Sequence, residues 1–453
     1  MATPLPHTPA ADARISELPV VVIGAGPIGL AAAANLTRYS LPVLVLEAGQ
    51  SVGAAMREWG HTRTFTPWTY IVDTAAHRLL ASSGWTAPDS EIPPTGAEIV
   101  GQYLEPLAAA LGDVVRTGAR VVAVTREGMD KSRTVGRAER PFLVRVQAET
   151  GSVVELRARA VIDASGTWQG ANPIGAAGVP AIGEGEAREA GFLVGPLPDV
   201  LGRDRDRFAA RRTLVLGSGH SAANTLLSLA RLADDVPGTG IVWATRSRDH
   251  SKLYGGGDAD QLPARGDLGA QVRTLVESGR IEVVESFLAS RLLVRGDTVT
   301  VRGETPGGEY DISGLHNVAA ATGFRPDLSL LSEVQLDLDP ALEAPRQLAP
   351  LIDPQFHSCG TVPPHGHQVL GQPDEGLYIA GMKSYGRAPT FLIATGNEQV
   401  RSIAAALAGD HEAADHVELE LPETGIASVC GAESVGGASC QIAPDVQLSG
   451  AMA

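Results

Sequence analysis

The sequence predicts an α/β protein with two Rossmann-like dinucleotide-binding units and a β-rich insertion. Three observations carry that expectation. An apolar run ends in Gly24-Ala25-Gly26-Pro27-Ile28-Gly29 and opens a helical pattern, and a second run ends in Gly217-Ser218-Gly219-His220-Ser221-Ala222 and does the same. The chain has 453 residues, enough for about three compact units with sizeable cores.

Residues 1–16, rich in Ala, Pro and Thr, read as a flexible arm. Residues 19–23 form a β-branched run of the kind a doubly buried parallel strand needs, and residues 28–39 read as a helix rich in Ala and Leu. In the hexad between them, Gly24 permits a tight turn, Gly26 lets the backbone approach a pyrophosphate, and Gly29 lets helix pack on strand. Residues 42–46 form a second strand ending in Glu47, 23 positions after Gly24, where a carboxylate can accept hydrogen bonds from a ribose diol. The plain alternative, a glycine-rich turn and a surface acid, does not account for that second strand. Residues 18–36 are long and apolar enough to resemble a signal or spanning helix, but Gly24, Gly26, Pro27 and Gly29 break the run, so neither export nor membrane insertion is expected.

Residues 114–125 and 142–161 read as strands of the insertion, joined by a basic loop with Arg126, Lys131, Arg133, Arg137 and Arg140 that is expected to be solvated. Residues 161–164 lead as a strand into Ser165-Gly166-Thr167-Trp168. Residues 173–198 are too irregular for a helix and too apolar for a free linker, and are expected to wrap a domain junction. In the second unit, residues 212–216 form the strand and 223–233 the helix. The next strand, 240–244, is followed by Arg246 and Arg248, whose guanidinium groups can pair with a 2′-phosphate where a carboxylate would repel it, so NADPH is favoured over NADH. A solvated basic loop is the alternative reading of these two arginines. Residues 318–321 lead into Thr322-Gly323-Phe324-Arg325-Pro326-Asp327.

Charge and cysteine content exclude several classes. Lys and Arg number 36 against 52 Asp and Glu, a formal charge of −16, the wrong sign for nucleic acid or an anionic membrane, and a small-molecule substrate fits better. Three cysteines, Cys359, Cys430 and Cys440, are too few for an extracellular disulfide framework, and a cytoplasmic setting is expected. His357, Cys359, His365 and His367 form an N/S cluster, but intervening Pro and Gly break every structural-zinc spacing, and no metal is expected. Cys430 and Cys440, with Cys359, read either as a soft thiolate site or, more plainly, as incidental thiols. The tail after Asp410 reads as a peripheral or flexible extension, and the oligomeric state, homo-oligomer or not, is left open.

The segments at Ser165-Gly166-Thr167-Trp168 and Ala321-Thr322-Gly323-Phe324 resemble the paired crossings of two-dinucleotide-domain flavoproteins, in which an FAD domain is interrupted by a whole NADPH domain. Gly376-Leu377-Tyr378-Ile379-Ala380-Gly381 resembles the last FAD-domain strand, and residues 395–407 the closing helix that faces the flavin ring. The resemblance implies an FAD domain at 17–168 and 325–410, a junction and NADPH domain at 169–324, and a tail at 411–453. It implies that Gly24, Gly26, Gly29 and Glu47 hold FAD, with Pro27, Ala164, Gly166, Thr322, Gly323, Gly381 and Thr395 among the cofactor-binding residues. It places Gly217, Gly219 and Ala222 at the NADPH pyrophosphate and Arg246 and Arg248 at its adenosine phosphate, with Ser218, His220 and Ser221 also among the cofactor-binding residues.

Disulfide reductases of this architecture set a close cysteine pair against the flavin, and no cysteine follows either Glu47 or Ala222 at the usual places, which leaves O2 as the leading electron acceptor. The chain is therefore similar to the class B flavin monooxygenases, which implies a C4a-(hydro)peroxyflavin and a small soft-nucleophile or carbonyl substrate. The family's Phe-x-Gly-x-x-x-His fingerprint is replaced here by residues 164–173. Thr66-Pro67-Trp68, Ser165-Gly166-Thr167-Trp168 and Ser384-Tyr385-Gly386-Arg387-Ala388-Pro389-Thr390 resemble most the flavin monooxygenases of bacterial arsenic-resistance operons. Arg57, Trp68 and Arg387 are the candidate catalytic residues, with Trp59, Phe65, Lys383 and Tyr385 beside them, because a reactive flavin needs an apolar pocket and a cation near its ring. The rival readings are an NADPH-dependent reductase or electron-transfer flavoprotein that uses the tail cysteines or a partner, and a nucleotide-binding sensor.

Overall fold

The computed structural model describes residues 14–254, 263–357 and 362–419. Two five-stranded sheets organise the chain. The first runs β16-β7-β1-β2-β3, with β1 at Val20–Ile23, β2 at Val43–Leu46, β3 at Val115–Arg116, β7 at Ala160–Asp163 and β16 at Leu377–Ile379. The second runs β11-β10-β9-β15-β8, with β8 at Leu193–Val194, β9 at Arg212–Leu216, β10 at Gly240–Ala244, β11 at Glu282–Val284 and β15 at Asn317–Ala320. Every pairing within both is parallel. The whole second sheet lies in sequence between β7 and β16 of the first.

Parallel strands are covered on both faces, which is why β1 and β7 are buried at all four positions and read as unbroken apolar runs. Their side chains still alternate between faces. Val20 and Val22 join the cluster under helix α1 (Pro27–Arg38), while Val21 and Ile23 join a cluster with Val121, Phe142 and Val144. Those last residues belong to a three-stranded antiparallel sheet, β4 (Ala119–Arg126), β5 (Phe142–Ala148) and β6 (Val153–Ala158). The second unit repeats the scheme. Val215 faces the helix α4 (His220–Asp235), and Leu214 and Leu216 face a second antiparallel sheet of β12 (Leu288–Arg295), β13 (Thr298–Thr305) and β14 (Gly308–Leu315). The small side chains of Ala31 to Ala34, all buried, let α1 lie between the sheet and helix α5 (Ile393–Ala408).

Two expectations are corrected. The basic loop is not simply solvated: Arg126 and Arg137, 2% and 4% exposed, both ion-pair with Asp374, which is fully buried. Its carboxylate accepts from Arg126 Nε (3.1 Å), Arg137 Nε (2.7 Å) and Nη2 (2.9 Å), and the Gln335 N–H (2.7 Å). Burial pushes the Asp374 carboxyl up, but the bonds from Arg137, Gln335 and Arg126 outweigh it and hold the group below the usual carboxylate range. Residues 173–198 likewise contain a helix, Glu184–Glu189, and the edge strand β8. The helix starts where it does because the buried Glu184 carboxylate accepts N–H bonds from Ala181 and Ile174. Residues 411–415 fold as helix α6 (His411–Asp415) against α5, where the Arg401 guanidinium donates to the Ala413 and His416 carbonyls. Among the described residues no helix is long and apolar enough to cross a membrane.

Candidate functional site

Ile23 pairs with Leu46 and Asp163, and Asp163 pairs with Ile379, so four strands end in one row. Ligands of open parallel sheets bind beyond that carboxyl edge. Gly24 turns the chain there with φ +99°, and an added Cβ would stand 2.8 Å from the Ala164 carbonyl oxygen. A Cβ on Gly29 would stand 1.9 Å from the Gly24 carbonyl oxygen, so α1 sits closer to β1 than any side chain allows. Gly26 is the opposite case: nothing lies within 4 Å of where its Cβ would be. Pro27 occupies the first turn of α1, whose N-terminus has no side-chain cap. The result is an open cradle facing a helix N-terminus, which fits a pyrophosphate. Glu47 flanks it, its Oε2 accepting the Ala25 N–H and its Oε1 the Gly49 N–H, both at 2.7 Å. These bonds fix the carboxylate's direction and leave each oxygen a further lone pair for a ribose hydroxyl.

The second hexad is built on the same contrast. Gly217 has φ +125° and a Cβ there would stand 2.0 Å from the Ala321 carbonyl oxygen, whereas Gly219 has nothing within 4 Å. Ala222 stands third and is fully buried against the strand. Ser218 and Gly219 are exposed, Ser221 is half-buried, and α4 starts at His220 with no side-chain cap. Beyond β10, Arg246 and Arg248 are exposed, and no ion pair among the described residues engages either.

The two crossings are stitched together. The Asn172 N–H donates to the Gly323 carbonyl (2.9 Å), the Arg325 N–H to the Gly170 carbonyl (2.8 Å), and the Thr322 hydroxyl to the Asn172 carbonyl (2.7 Å). Gly166, with φ +71°, faces open space. Ring contacts cross the same junction: Trp168 lies 5.2 Å from Phe324 and 6.5 Å from Trp59, its indole N–H donating to Glu58, and Phe65 lies 4.9 Å from His220 at the start of α4.

The candidate catalytic residues have specific partners. Arg57 ion-pairs with Glu105 at 2.5 Å and Arg387 with Glu343 at 2.8 Å, while Trp68 is 5% exposed and packed in the core around α1. Thr395, in the first turn of α5, is buried. Sequence reasoning passed over Asp163. Its Oδ2 lies 2.6 Å from Lys383 Nζ, its Oδ1 accepts the Ser165 N–H and hydroxyl, and Lys383 also donates to Ser165 Oγ at 3.0 Å. An acid closing an otherwise apolar, fully buried strand was the available signal.

Gly381, with φ +68°, closes on Ile28 and donates its N–H to Gln399 Oε1. Gln399 Nε2 in turn lies 2.9 Å from His365 Nε2, and His365 Nδ1 lies 2.9 Å from the Pro363 carbonyl. A carbonyl only accepts, so Nδ1 carries the proton and Nε2 accepts from the amide. Burial pushes the His365 imidazole down. The native state thus binds less proton than the unfolded one, so this contribution to stability is complete above about pH 6.5 and is lost as the pH falls below it. The melting temperature should fall as the pH drops below about 6.5, and His365→Gln should flatten that part of the curve. His367 bonds separately to Ser402, Cys359 lies outside the described residues, as do Cys430 and Cys440, and no group of three or more metal-ligating side chains occurs among the described residues.

Residues 21–184 match the family described as pyridine nucleotide-disulphide oxidoreductase. No curated protein matches the chain. Among solved structures, bacillithiol disulfide reductase from Bacillus cereus is 19% identical with a TM-score of 0.63, covering 86% of this chain and 99% of that one. An ornithine N-hydroxylase from Kutzneria, with reduced FAD, NADP+ and L-ornithine, is 17% identical with a TM-score of 0.59, covering 87% and 99%. A variant flavin monooxygenase from Stenotrophomonas maltophilia is 23% identical with a TM-score of 0.54, covering 86% and 98%. The likeness is one of fold: two dinucleotide-binding units in a single chain.

Proposed function

We propose that the chain is an FAD- and NADPH-dependent oxidoreductase that acts as a monooxygenase on a small soft-nucleophile or carbonyl substrate. One observation carries this reading: the chain holds two glycine loops, each too tight for a side chain at its first glycine and open at its second. That contrast is what a backbone pressed against a pyrophosphate requires. Bound FAD supplies a two-electron carrier that takes hydride and reacts with O2.

The chain's own residues do the rest. Gly26 and the N-terminus of α1 hold one pyrophosphate, and Glu47 holds its ribose. Gly219 and the N-terminus of α4 hold the other, with Arg246 and Arg248 at the 2′-phosphate. Trp59, Trp168 and Phe324 keep water from the junction between the units. Cys359 is the first cysteine in the sequence, so no cysteine pair stands close after either glycine loop to take the electrons, and O2 is the acceptor in this reading. The overall reaction is S + O2 + NADPH + H+ giving SO + NADP+ + H2O. Trivalent arsenic is a soft nucleophile of the expected kind, and the three quoted sequence segments favour it.

Two measurements follow. Arg246→Ala with Arg248→Ala removes about 1.5–3 kcal/mol of charge-assisted binding, so KM for NADPH rises roughly 10- to 100-fold while KM for NADH hardly moves; equal rises for both would contradict the assignment. Arsenite, sulfides, amines and ketones are then screened for one that lowers peroxide release per NADPH consumed. Peroxide equal to NADPH with every candidate contradicts oxygen transfer and favours a reductase.

A further inference from the structure

Asp163 and Lys383 form an ion pair that is 0% and 1% exposed, joining segments 220 residues apart. Placing two charges out of water costs several kcal/mol per ion, and an apolar pair would often serve stability as well. Its position suggests what it is for. In the strand order β16-β7-β1-β2-β3, the pyrophosphate cradle follows β1 and the ribose acid Glu47 follows β2. A dinucleotide whose adenosine half lies toward β2 extends its other half across the ends of β7 and β16. Asp163 ends β7, and Lys383 lies in the turn after β16. Asp163 is tied to the cradle itself, because the next residue, Ala164, supplies the carbonyl against which Gly24 is packed. A third segment faces the same cation: two bonds from Ser329 hold the Asp327 carboxyl below its usual range, and the Lys383 charge adds to that lowering.

We infer that the Asp163–Lys383 pair is a positioning and electrostatic device for the isoalloxazine half of FAD, with Lys383 supplying the positive charge that favours the reduced cofactor. The inference rests on the FAD reading above. Reduction by the hydride of NADPH brings two electrons and one proton to the ring, leaving one added negative charge, and a fixed cation in a dry site favours that state. When the lysine is neutralised, Asp163 keeps its two bonds from Ser165 but loses its counter-charge, so the site loses its cation.

The test is the midpoint potential of the bound flavin, titrated anaerobically at saturating FAD. Lys383→Gln shifts it downward by at least tenfold in the two-electron equilibrium, about 30 mV. Lys383→Arg stays near the wild-type value, and Asp163→Asn with Lys383→Gln, which removes both charges, returns toward it. A Lys383→Gln protein with FAD bound at the wild-type potential overturns the inference. So does a double variant that stays as low as Lys383→Gln, because the shift would then come from disturbed packing. Asp163→Asn alone tests the pair from the other side and shifts the potential upward; a downward shift overturns the inference. A wild-type chain that takes up no FAD overturns the FAD reading instead.

Discussion

Gly219→Val yields a folded protein that keeps its flavin and is only poorly reduced by NADPH, and Gly26→Val yields a folded protein without flavin. No atom lies within 4 Å of a Cβ at either position, and the backbone there, φ −80° at Gly26 and −95° at Gly219, is one that any residue adopts. A Cβ at these sites meets no atom of the protein and projects into the space kept for a pyrophosphate. Losing two charge-assisted hydrogen bonds costs about 3–6 kcal/mol, so kcat/KM for NADPH in Gly219→Val falls at least roughly 100-fold. The other two glycines of the first loop behave differently. Gly24→Ala and Gly29→Ala force a Cβ to 2.8 Å and 1.9 Å from backbone oxygens, so both lower the melting temperature as well as flavin content. Melting curves with flavin content and NADPH kinetics check all four. A Gly219→Val enzyme reduced by NADPH at the wild-type rate would remove the second loop from the account.

Asp374→Asn destabilises the protein by about 3–5 kcal/mol, because two buried guanidinium groups lose their counter-charge. The pairs join the end of β4 and the loop after it to the turn before β16, so their loss also loosens the N-terminal end of that strand. Arg145→Gln is the control, since its half-exposed pair with Glu155 is worth about 0.2–1 kcal/mol. The pH dependence has a definite sign. The folded Asp374 carboxyl titrates below its unfolded value, so its stabilisation is complete above about pH 4 and is lost as the pH falls through the folded value. Urea titrations at pH 7 and at a pH below about 4 check both statements, and a shift no larger than that of Arg145→Gln would show that the cluster adds nothing.

Both glycine hexads and the strands before them were legible in the sequence because their requirement is local. A tight turn, an open approach and a close helix are written at fixed spacing, and the φ values and clearances at Gly24, Gly26, Gly217 and Gly219 follow it. What the sequence does not carry is the partner of a charge. Arg137 reads as a solvated arginine in a basic loop, yet its carboxylate lies 237 residues away, and Asp163 is 220 residues from Lys383. Arg57 and Arg387 read as free cations for a flavin, and their guanidinium groups are taken by Glu105 and Glu343, 48 and 44 positions away. The sheet of β12, β13 and β14 escaped notice because much of it is exposed and charged, so no continuous apolar stripe marks it. The helix Glu184–Glu189 is set by tertiary bonds to one buried carboxylate, and six residues carry too little periodicity to reveal it.

The most direct test of the central claim, that NADPH and FAD work together in this chain to activate O2, is stopped-flow absorbance. The FAD-loaded protein is reduced anaerobically with NADPH and then mixed with oxygenated buffer. The account predicts rapid bleaching by NADPH, then an absorbance band distinct from both oxidised and reduced flavin that persists before oxidised flavin returns. Direct return to oxidised flavin, with peroxide equal to the NADPH consumed, would contradict it.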